Sequence, residues 1–174
     1  MTGVKTRNLV ITALLAAVIC VMAPFSIQIG PIPLTFATFA IYLAATVKNA
    51  RTGLCAVIVY LALGAFGVPV FSSFSGGFNK LVGATGGFLI GYIPGAYVIG
   101  KLVDIFADKK IIYPAAMTLG TILWYTLGAA WYAVQAHVSI SAALAVCVVP
   151  FIIPDIAKIV IASVVAPVIR RRIP

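Results

Sequence analysis

Charged and metal-binding residues are scarce in this chain of 174 residues. The sequence has three acidic residues, all of them aspartate, together with one histidine and three cysteines. A metalloprotease centre needs a cluster of such ligands, and a glycosidase needs a pair of carboxylates, so the composition argues against both. Walker A, glycine-rich nucleotide-binding and Rossmann motifs are missing too. We therefore expect a protein that is not an enzyme and has no metal or cofactor of its own.

Hydrophobic residues, by contrast, dominate the composition. They make up 63% of the sequence, whereas charged residues make up 9%, and the mean hydropathy is +1.19. Globular chains usually contain about a quarter charged residues. A chain with so few cannot hide its apolar surface from water, so we predict an all-α integral membrane protein that forms a single domain over residues 1–174.

Long uncharged runs mark the predicted membrane spans. They cover 8–47, 52–79, 81–100 and 111–154. Since roughly 20 apolar residues cross a bilayer, the first run holds two helices around a turn near Gly30–Pro33, and polar residues at 135–141 divide the last. Six transmembrane helices are predicted, at 9–29, 34–47, 53–70, 81–100, 111–134 and 140–169. Pro150 and Pro154 interrupt the sixth, so an irregular or separate helical piece is expected before Asp155.

Basic residues predict the orientation of these six spans. Both termini then share one side, and ten of the twelve cations lie there: Lys5, Arg7, Lys48, Arg51, Lys101, Lys109, Lys110, Arg170, Arg171 and Arg172. Lys80 falls on the opposite side and Lys158 inside a span. By the positive-inside rule, both termini are cytoplasmic. The net charge of +9 is thus a topology signal with some contact to anionic membrane lipid, and it does not indicate nucleic-acid binding.

The N-terminal segment and the cysteines have simple interpretations. Lys5 and Arg7 precede an apolar stretch, as in a signal peptide, but no clean cleavage site follows, so we expect a retained first helix. Cys20, Cys55 and Cys147 are widely spaced in apolar segments, and we interpret them as packing residues.

Asp155 and Lys158 are the most informative residues. A charge at membrane depth costs about 2.5–3.5 kcal/mol on insertion scales, and such residues usually pair, face a cavity or mark a substrate path. Their i,i+3 spacing places both on one helical face. A neutralised pair within the helix, close to the outer membrane surface, is one explanation. Because two leucines would pack there equally well, we favour a small polar ligand as the reason for the pair.

Residues 71–87, FSSFSGGFNKLVGATGG, form the second candidate segment for ligand binding. Phe71, Phe74 and Phe78 alternate with small and polar residues, and Asn79 offers both a donor and an acceptor. The alternative is an interfacial loop whose aromatic residues belong to the membrane belt.

Glycines recur every fourth residue through the next predicted span. Gly83, Gly87, Gly91 and Gly95 form this ladder. Such spacing favours close helix packing over ligand contact. Thr85 and Gly86 are the candidates for ligand contact within it.

Four strings of this sequence resemble the landmarks of the BioY family, the biotin-binding S components of energy-coupling factor (ECF) transporters. They are GPIPLTFATFA at 30–40, GVPVFSSFSGG at 67–77, GATGGFLIGY at 83–92 and PFIIPDIAK at 150–158. The similarity runs nearly end to end. It implies a multi-pass protein of the bacterial cytoplasmic membrane that binds biotin with high affinity. It also implies partners, a transmembrane coupling protein and two cytoplasmic ATPases, which alone use ATP.

The resemblance implies that Asn79, Asp155 and Lys158 are pocket residues. Biotin has a ureido ring with two N–H donors and one carbonyl, an apolar sulfur ring and a carboxylate tail. We predict that Asp155 accepts from a ureido N–H, that Asn79 bonds the ureido group, and that Lys158 completes the polar network. The carboxylate tail of biotin has three candidate partners, which the sequence leaves open: Lys158, Lys80 and the backbone. The predicted aromatic walls are Phe71, Phe74 and Tyr92.

Two segments outside this pocket also receive predicted roles. The loop Gly30–Pro33 is a candidate lid, since a preordered segment closes over a ligand at little entropic cost. On the first helix, Ala13 and Ala17 form a small-xxx-small pair. In S components similar pairs meet the coupling protein, and intramolecular packing is the alternative.

Three functions stay open on the sequence alone. The first is biotin capture for an ECF transporter. The second is an S component or solitary carrier for another small vitamin-like substrate. The third is a membrane enzyme or a structural assembly protein.

Overall fold

The computed structural model describes residues 2–106 and 109–173. This part of the chain folds into helices and one hairpin: α1 (Thr2–Met22), β1 (Ser26–Ile29), β2 (Ile32–Thr35), α2 (Ala37–Val47), α3 (Ala50–Ala65), α4 (Phe78–Val82), α5 (Gly86–Ile105), α6 (Ile112–Ala136), α7 (Ile140–Cys147) and α8 (Ile152–Arg172). Short 3-10 turns at Ser72–Phe74 and Val149–Phe151 precede α4 and α8.

The long helices overlap the segments predicted from the uncharged runs. Six of them, α1, α2, α3, α5, α6 and α8, each match one predicted span. By length and hydropathy, two described segments are able to cross a membrane, Gly86–Ile105 and Ile140–Arg172. The second contains the break predicted near Pro150, because α7 ends at Cys147 and α8 begins at Ile152. Pro154 does not end a helix, since it lies in the first turn of α8.

The prediction of an all-α fold is wrong in one segment. The first helix was expected to reach residue 29, but α1 ends at Met22 and an antiparallel hairpin follows. In this hairpin Ser26 pairs with Thr35 and Ile29 pairs with Ile32. Gly30 has a φ of +74° at the turn, a conformation that glycine adopts without steric cost. The same glycine and prolines that indicated a helix break therefore fold as a turn between two short strands.

α5 and α6 pack against each other along the glycine ladder. A Cβ at Gly91 would lie 2.9 Å from the Cα of Trp124, and one at Gly95 would lie 2.7 Å from Cε3 of the same tryptophan. A Cβ at Gly87 would lie 2.7 Å from the carbonyl oxygen of Leu127. No side chain fits at these three positions, which confirms the prediction that the ladder serves helix packing.

An ion pair fixes one end of the helix bundle. Arg170 of α8 places Nη2 2.7 Å from Asp104 Oδ1 and donates from Nη1 to the carbonyl of Thr46, 2.8 Å away. The other Asp104 oxygen accepts from the amide of Ala50 at 2.8 Å. These contacts join the C-terminal ends of α2, α5 and α8 to the start of α3. Sequence reasoning did not predict this pair.

Candidate functional site

A cavity lies at the other end of α2 and α8, beside the hairpin. Its empty space, counted together with the solvent space at its open mouth, is about 650 Å³. Residues of β2, α2, α3, α5, α6 and α8 line it. Most of its walls are aromatic: Tyr60, Phe71, Phe88, Tyr92, Trp124, Tyr125 and Phe151.

Asp155 and Lys158 meet in one wall of this cavity. Lys158 Nζ lies 2.8 Å from Asp155 Oδ1. The same ammonium donates to the carbonyl of Thr35 at 2.8 Å and to Oγ1 of Thr38 at 3.0 Å. The hydroxyl of Tyr125 donates to Asp155 Oδ2 at 2.6 Å. The two charges are therefore part of a network that joins β2, α2, α6 and α8.

The positions of these charges follow from the local fold. Asp155 lies in the first turn of α8, where the positive end of the helix dipole favours a carboxylate. The i,i+3 spacing brings Lys158 onto the same face, as predicted, and the end of β2 supplies the carbonyl of Thr35. Asp155 is 4% exposed, so each charge depends on partners and not on water.

The Asp155 carboxylate keeps room for one more donor. Its two oxygens offer about four acceptor sites. Lys158 and Tyr125 donate to it closely, and Thr38 donates over a longer 3.5 Å. A ligand N–H reaching into the cavity would thus find a fixed, charged acceptor.

Seven residues from the segment at 71–92 also line the cavity, namely Phe71, Ser72, Lys80, Thr85, Phe88, Leu89 and Tyr92. Phe71 is buried and its ring stands edge-on to that of Tyr60, with centroids 5.5 Å apart. Tyr92 is buried on α5. Lys80 is exposed on α4, and it brings a cation to the cavity. Phe71, Thr85 and Tyr92, which the sequence analysis named as site candidates, therefore lie in the cavity wall together with Lys80.

Three predicted site residues do not line the cavity. Asn79 is exposed on α4. Phe74 is 63% exposed and packs edge-on against Phe25, because positive φ angles at Ser73 and Phe74 turn the chain outward after Phe71. Gly86 is buried where a Cβ would collide with the main chain of Leu81, so it serves packing at the start of α5.

Several lining residues carried no sequence signal. Thr38, Trp124 and Tyr125 lie in apolar helices, where single hydroxyls and aromatic rings look like core. Cys147 was interpreted as a packing residue; it is buried, and it also lines the cavity. Of the other cysteines, Cys20 is partly exposed and Cys55 is exposed.

The hairpin forms one wall of the cavity. Ile32, Pro33, Leu34 and Thr35 of this hairpin line it, and Ile32 packs in a small cluster with Phe88, Cys147 and Phe151. The predicted lid loop, Gly30–Pro33, is thus the tip of a hairpin that reaches the cavity.

The outer face of α1 is apolar and exposed. Ala13 and Ala17 both lie on it, beside Leu14 and Val21, which are 61% and 66% exposed. In the described part of the chain, this alanine pair is therefore not used for packing inside the bundle.

The arrangement of helices around this cavity has a counterpart among solved structures. The same fold occurs in a solved structure described as the S-component for biotin from an ECF-type ABC transporter, with a TM-score of 0.91 and 24% sequence identity. The match covers 98% of this chain and 94% of that chain.

The chain belongs to the BioY family, whose family model matches residues 1–174. It is 40% identical to the biotin transporter BioY of Thermotoga maritima, over 92% of this chain and 94% of that protein. It is 34% identical to the probable biotin transporter BioY of Pyrococcus horikoshii, over 93% and 95%. Biotin transporter BioY2 of Lactococcus lactis is also 34% identical, over 94% and 90%. These matches confirm the resemblance seen in the four sequence strings.

Proposed function

We propose that this chain captures biotin in the cavity beside the hairpin, as the substrate-binding subunit of an ECF-type transporter. Its relatives are named biotin transporters, in agreement with the expectation that the chain is not an enzyme. One observation carries the proposal. A buried carboxylate, held by Lys158 and Tyr125, lines a cavity that also has seven aromatic lining residues.

The chemistry of biotin matches this cavity. Asp155 accepts a hydrogen bond from one ureido N–H, while Lys158 orients the carboxylate and balances its charge. The aromatic walls, among them Phe71 and Tyr92, enclose the apolar sulfur ring. The result is a site in which each part of the double ring has a complementary surface.

The carboxylate tail of biotin lies toward Lys80 in this proposal. All three donors of the Lys158 ammonium already have partners, Thr35, Thr38 and Asp155. Lys80 lines the cavity from its exposed position on α4. Asn79 is its neighbour, and it reaches the ligand after α4 moves toward the cavity.

The proposed topology has six crossings with both termini in the cytoplasm. The end of the bundle that holds Arg170 is rich in cations, so it faces the cytoplasm and the cavity faces outward. α2 has 11 residues and is about 16 Å long, shorter than the hydrocarbon core. The hairpin completes this crossing, with β2 lining the cavity.

Transport also requires partners in this proposal, a transmembrane coupling protein and two ATPases. The exposed face of α1 with Ala13 and Ala17 is the surface that meets the coupling protein. Small side chains there let a partner helix approach closely. ATP is used by the partner subunits, whereas this chain binds biotin without it.

Retention of labelled biotin by the detergent-purified chain tests the proposal. We expect saturable, one-to-one binding without ATP, displaced by unlabelled biotin and not by thiamine or riboflavin. Uptake of biotin by cells should then require the coupling protein and ATPases as well. Displacement by another vitamin would reassign the substrate, and uptake by the chain alone would make it a solitary carrier. Absence of any biotin binding by folded protein would refute the proposal.

A further inference from the structure

Trp124 carries a buried donor that lacks a partner. Its side chain is 0% exposed, and within residues 2–106 and 109–173 its Nε1 is without a hydrogen bond. Buried polar groups are nearly always satisfied, so each exception needs a reason. The other tryptophan shows the usual arrangement, because Trp131 donates from Nε1 to the carbonyl of Gly83 at 2.9 Å.

The packing of the Trp124 ring fixes the direction of this donor. The ring lines the cavity, and its Cε3–Cζ3 edge rests against Gly95 of α5. Nε1 belongs to the opposite edge of an indole, so it faces away from Gly95. The rings of Tyr42 and Tyr92 both pack against the indole, each with its centroid 5.4 Å away. The donor is therefore held in one orientation before a ligand arrives.

The polar hydrogens of Lys158 and Tyr125 beside Asp155 are already used in hydrogen bonds. The ammonium of Lys158 donates its three hydrogen bonds to Thr35, Thr38 and Asp155. The hydroxyl of Tyr125 donates to Asp155. A ligand carbonyl that enters beside Asp155 would have to break one of these bonds or find another donor. Trp124 offers that donor at no such loss.

Deeper in the bundle, the hydroxyl groups of Thr121 and Tyr42 also donate to protein acceptors. Thr121 donates to the carbonyl of Met117 at 2.8 Å. It lies 2.5 Å from the hydroxyl of Tyr42, which must then be the donor between them. Neither hydroxyl competes with Trp124 for a ligand acceptor.

We propose that the indole N–H of Trp124 donates to the ureido carbonyl oxygen of biotin. This inference rests on the proposed function, and it adds the residue that recognises the carbonyl. Asp155 accepts a hydrogen bond from a ureido N–H, and Trp124 donates one to the ureido carbonyl oxygen. Together the two residues select a ligand that contains a cyclic urea. A ring without an acceptor at that position would leave the indole donor buried and unpaired.

Replacing the N–H of Trp124 by sulfur tests this role with little change of shape. β-(3-Benzothienyl)alanine has a ring of nearly the same size as tryptophan and no N–H donor. Placed at position 124, it should weaken biotin binding on the order of tenfold, the usual worth of a buried hydrogen bond. Thermal stability without biotin should stay the same, because the donor has no partner to lose. Trp124→Phe is a second variant and should weaken binding at least as much.

The same replacement at Trp131 is the matched control. There the N–H bonds to Gly83 outside the cavity lining, so we expect lower thermal stability and unchanged affinity for biotin. A biotin analogue with a thiocarbonyl, a poorer acceptor, serves as the ligand control. The loss caused by the position 124 replacement should shrink with this analogue.

Unchanged biotin affinity in the folded position 124 variant would overturn the inference while leaving biotin capture in place. An equal loss with biotin and its thiocarbonyl analogue would also overturn it, because the ring would then act only as a wall. Failure of the unmodified protein to bind biotin would refute the proposed function itself. Titrations of the unmodified protein and of the position 124 variant, with biotin and with the analogue, distinguish these three outcomes.

Discussion

Asp155 is the residue on which the proposed binding of biotin depends most. Its carboxylate is buried, yet Lys158 and Tyr125 hold it in one position. Preorganised charge of this kind binds a donor with little rearrangement, which strengthens recognition of a small ligand. The same partners make the residue stable in an apolar surrounding before any ligand binds.

Asp155→Asn should reduce biotin affinity while the fold persists. The neutral amide weakens the bond from the ureido N–H, a loss of about 1.5–3 kcal/mol or roughly 10- to 150-fold in Kd. Calorimetric titration of the purified variant measures it. Asp104→Asn is the matched control, since that acid pairs with Arg170 outside the cavity lining and should leave affinity unchanged. Equal affinity in a folded Asp155→Asn variant would contradict the assigned role.

Tyr125→Phe should both destabilise the protein and weaken binding. The variant removes the donor that lies 2.6 Å from Asp155 Oδ2, and hydrogen bonds to charged groups contribute about 1.5–3 kcal/mol. Thermal unfolding with and without biotin separates the two effects. Tyr97→Phe, at an exposed position on α5, is the control. A variant with wild-type stability and affinity would show that Asp155 does not need this hydroxyl.

Charged residues were easier to predict from the sequence than neutral ones. Asp155 and Lys158 stood out because charge is costly in an apolar helix. Thr38 and Trp124 gave no such signal, because their role depends on which helix faces they share with α8. Asn79 and Phe74 were selected by residue type, but the turn after Phe71 directs Phe74 outward.

The hairpin is the element that closes the cavity. Its second strand lines the cavity, and its first strand is held to the 3-10 turn by Ser26 and Ser73, whose Oγ atoms are 3.0 Å apart. This contact bridges two segments that border the same cavity. We propose that opening of the hairpin lets the ligand exchange.

A disulfide between Ser26→Cys and Ser73→Cys should slow biotin exchange. The three native cysteines are first replaced by alanine, so that only the new pair can form. We expect labelled biotin to dissociate more slowly from the oxidised protein, with normal dissociation after reduction. Each single cysteine variant is a control. Identical dissociation in both redox states would show that the ligand leaves by another route.

Replacement of Ala13 and Ala17 by tryptophan should block assembly and spare biotin binding. Both alanines are exposed on α1, so bulky rings there obstruct a partner helix without entering the bundle. Co-purification with the coupling protein measures assembly. Val160→Trp and Val164→Trp, at exposed positions on α8, form the matched pair. Loss of binding along with assembly would mean that the α1 surface packs internally.

The helices were largely predictable, whereas the hairpin was not. Uncharged runs located all six long helices, because apolar length is directly visible in a sequence. Between Pro24 and Thr35 the residues signalled only that a helix must break. Strand pairing there depends on contacts made by Ile32 with Phe88, Cys147 and Phe151, which lie far away in sequence.

The two ends of the helix bundle differ: one end holds an ion pair and the other end holds the cavity. At one end Arg170 and Asp104 tie α8 to α2, α3 and α5. At the other end the same helices diverge around a cavity that the hairpin covers. We propose that the end with the ion pair stays fixed while the cavity end exchanges ligand. It also agrees with the distribution of basic residues, which predicts the rigid end on the cytoplasmic side.

A cysteine placed at each end tests this orientation. In cells, a membrane-impermeant thiol reagent should label Lys80→Cys on the cavity side and should leave Arg171→Cys unlabelled until the membrane is opened. The native cysteines are again replaced by alanine. The reverse pattern would contradict cytoplasmic termini, and labelling of both would contradict a spanning topology.

The structure of the protein with biotin bound tests the central claim most directly. We predict the ureido ring in the cavity, with one N–H within hydrogen-bond distance of Asp155 and the hairpin closed over the double ring. Biotin bound elsewhere, with Asp155 and Lys158 in contact with protein groups alone, would contradict the account.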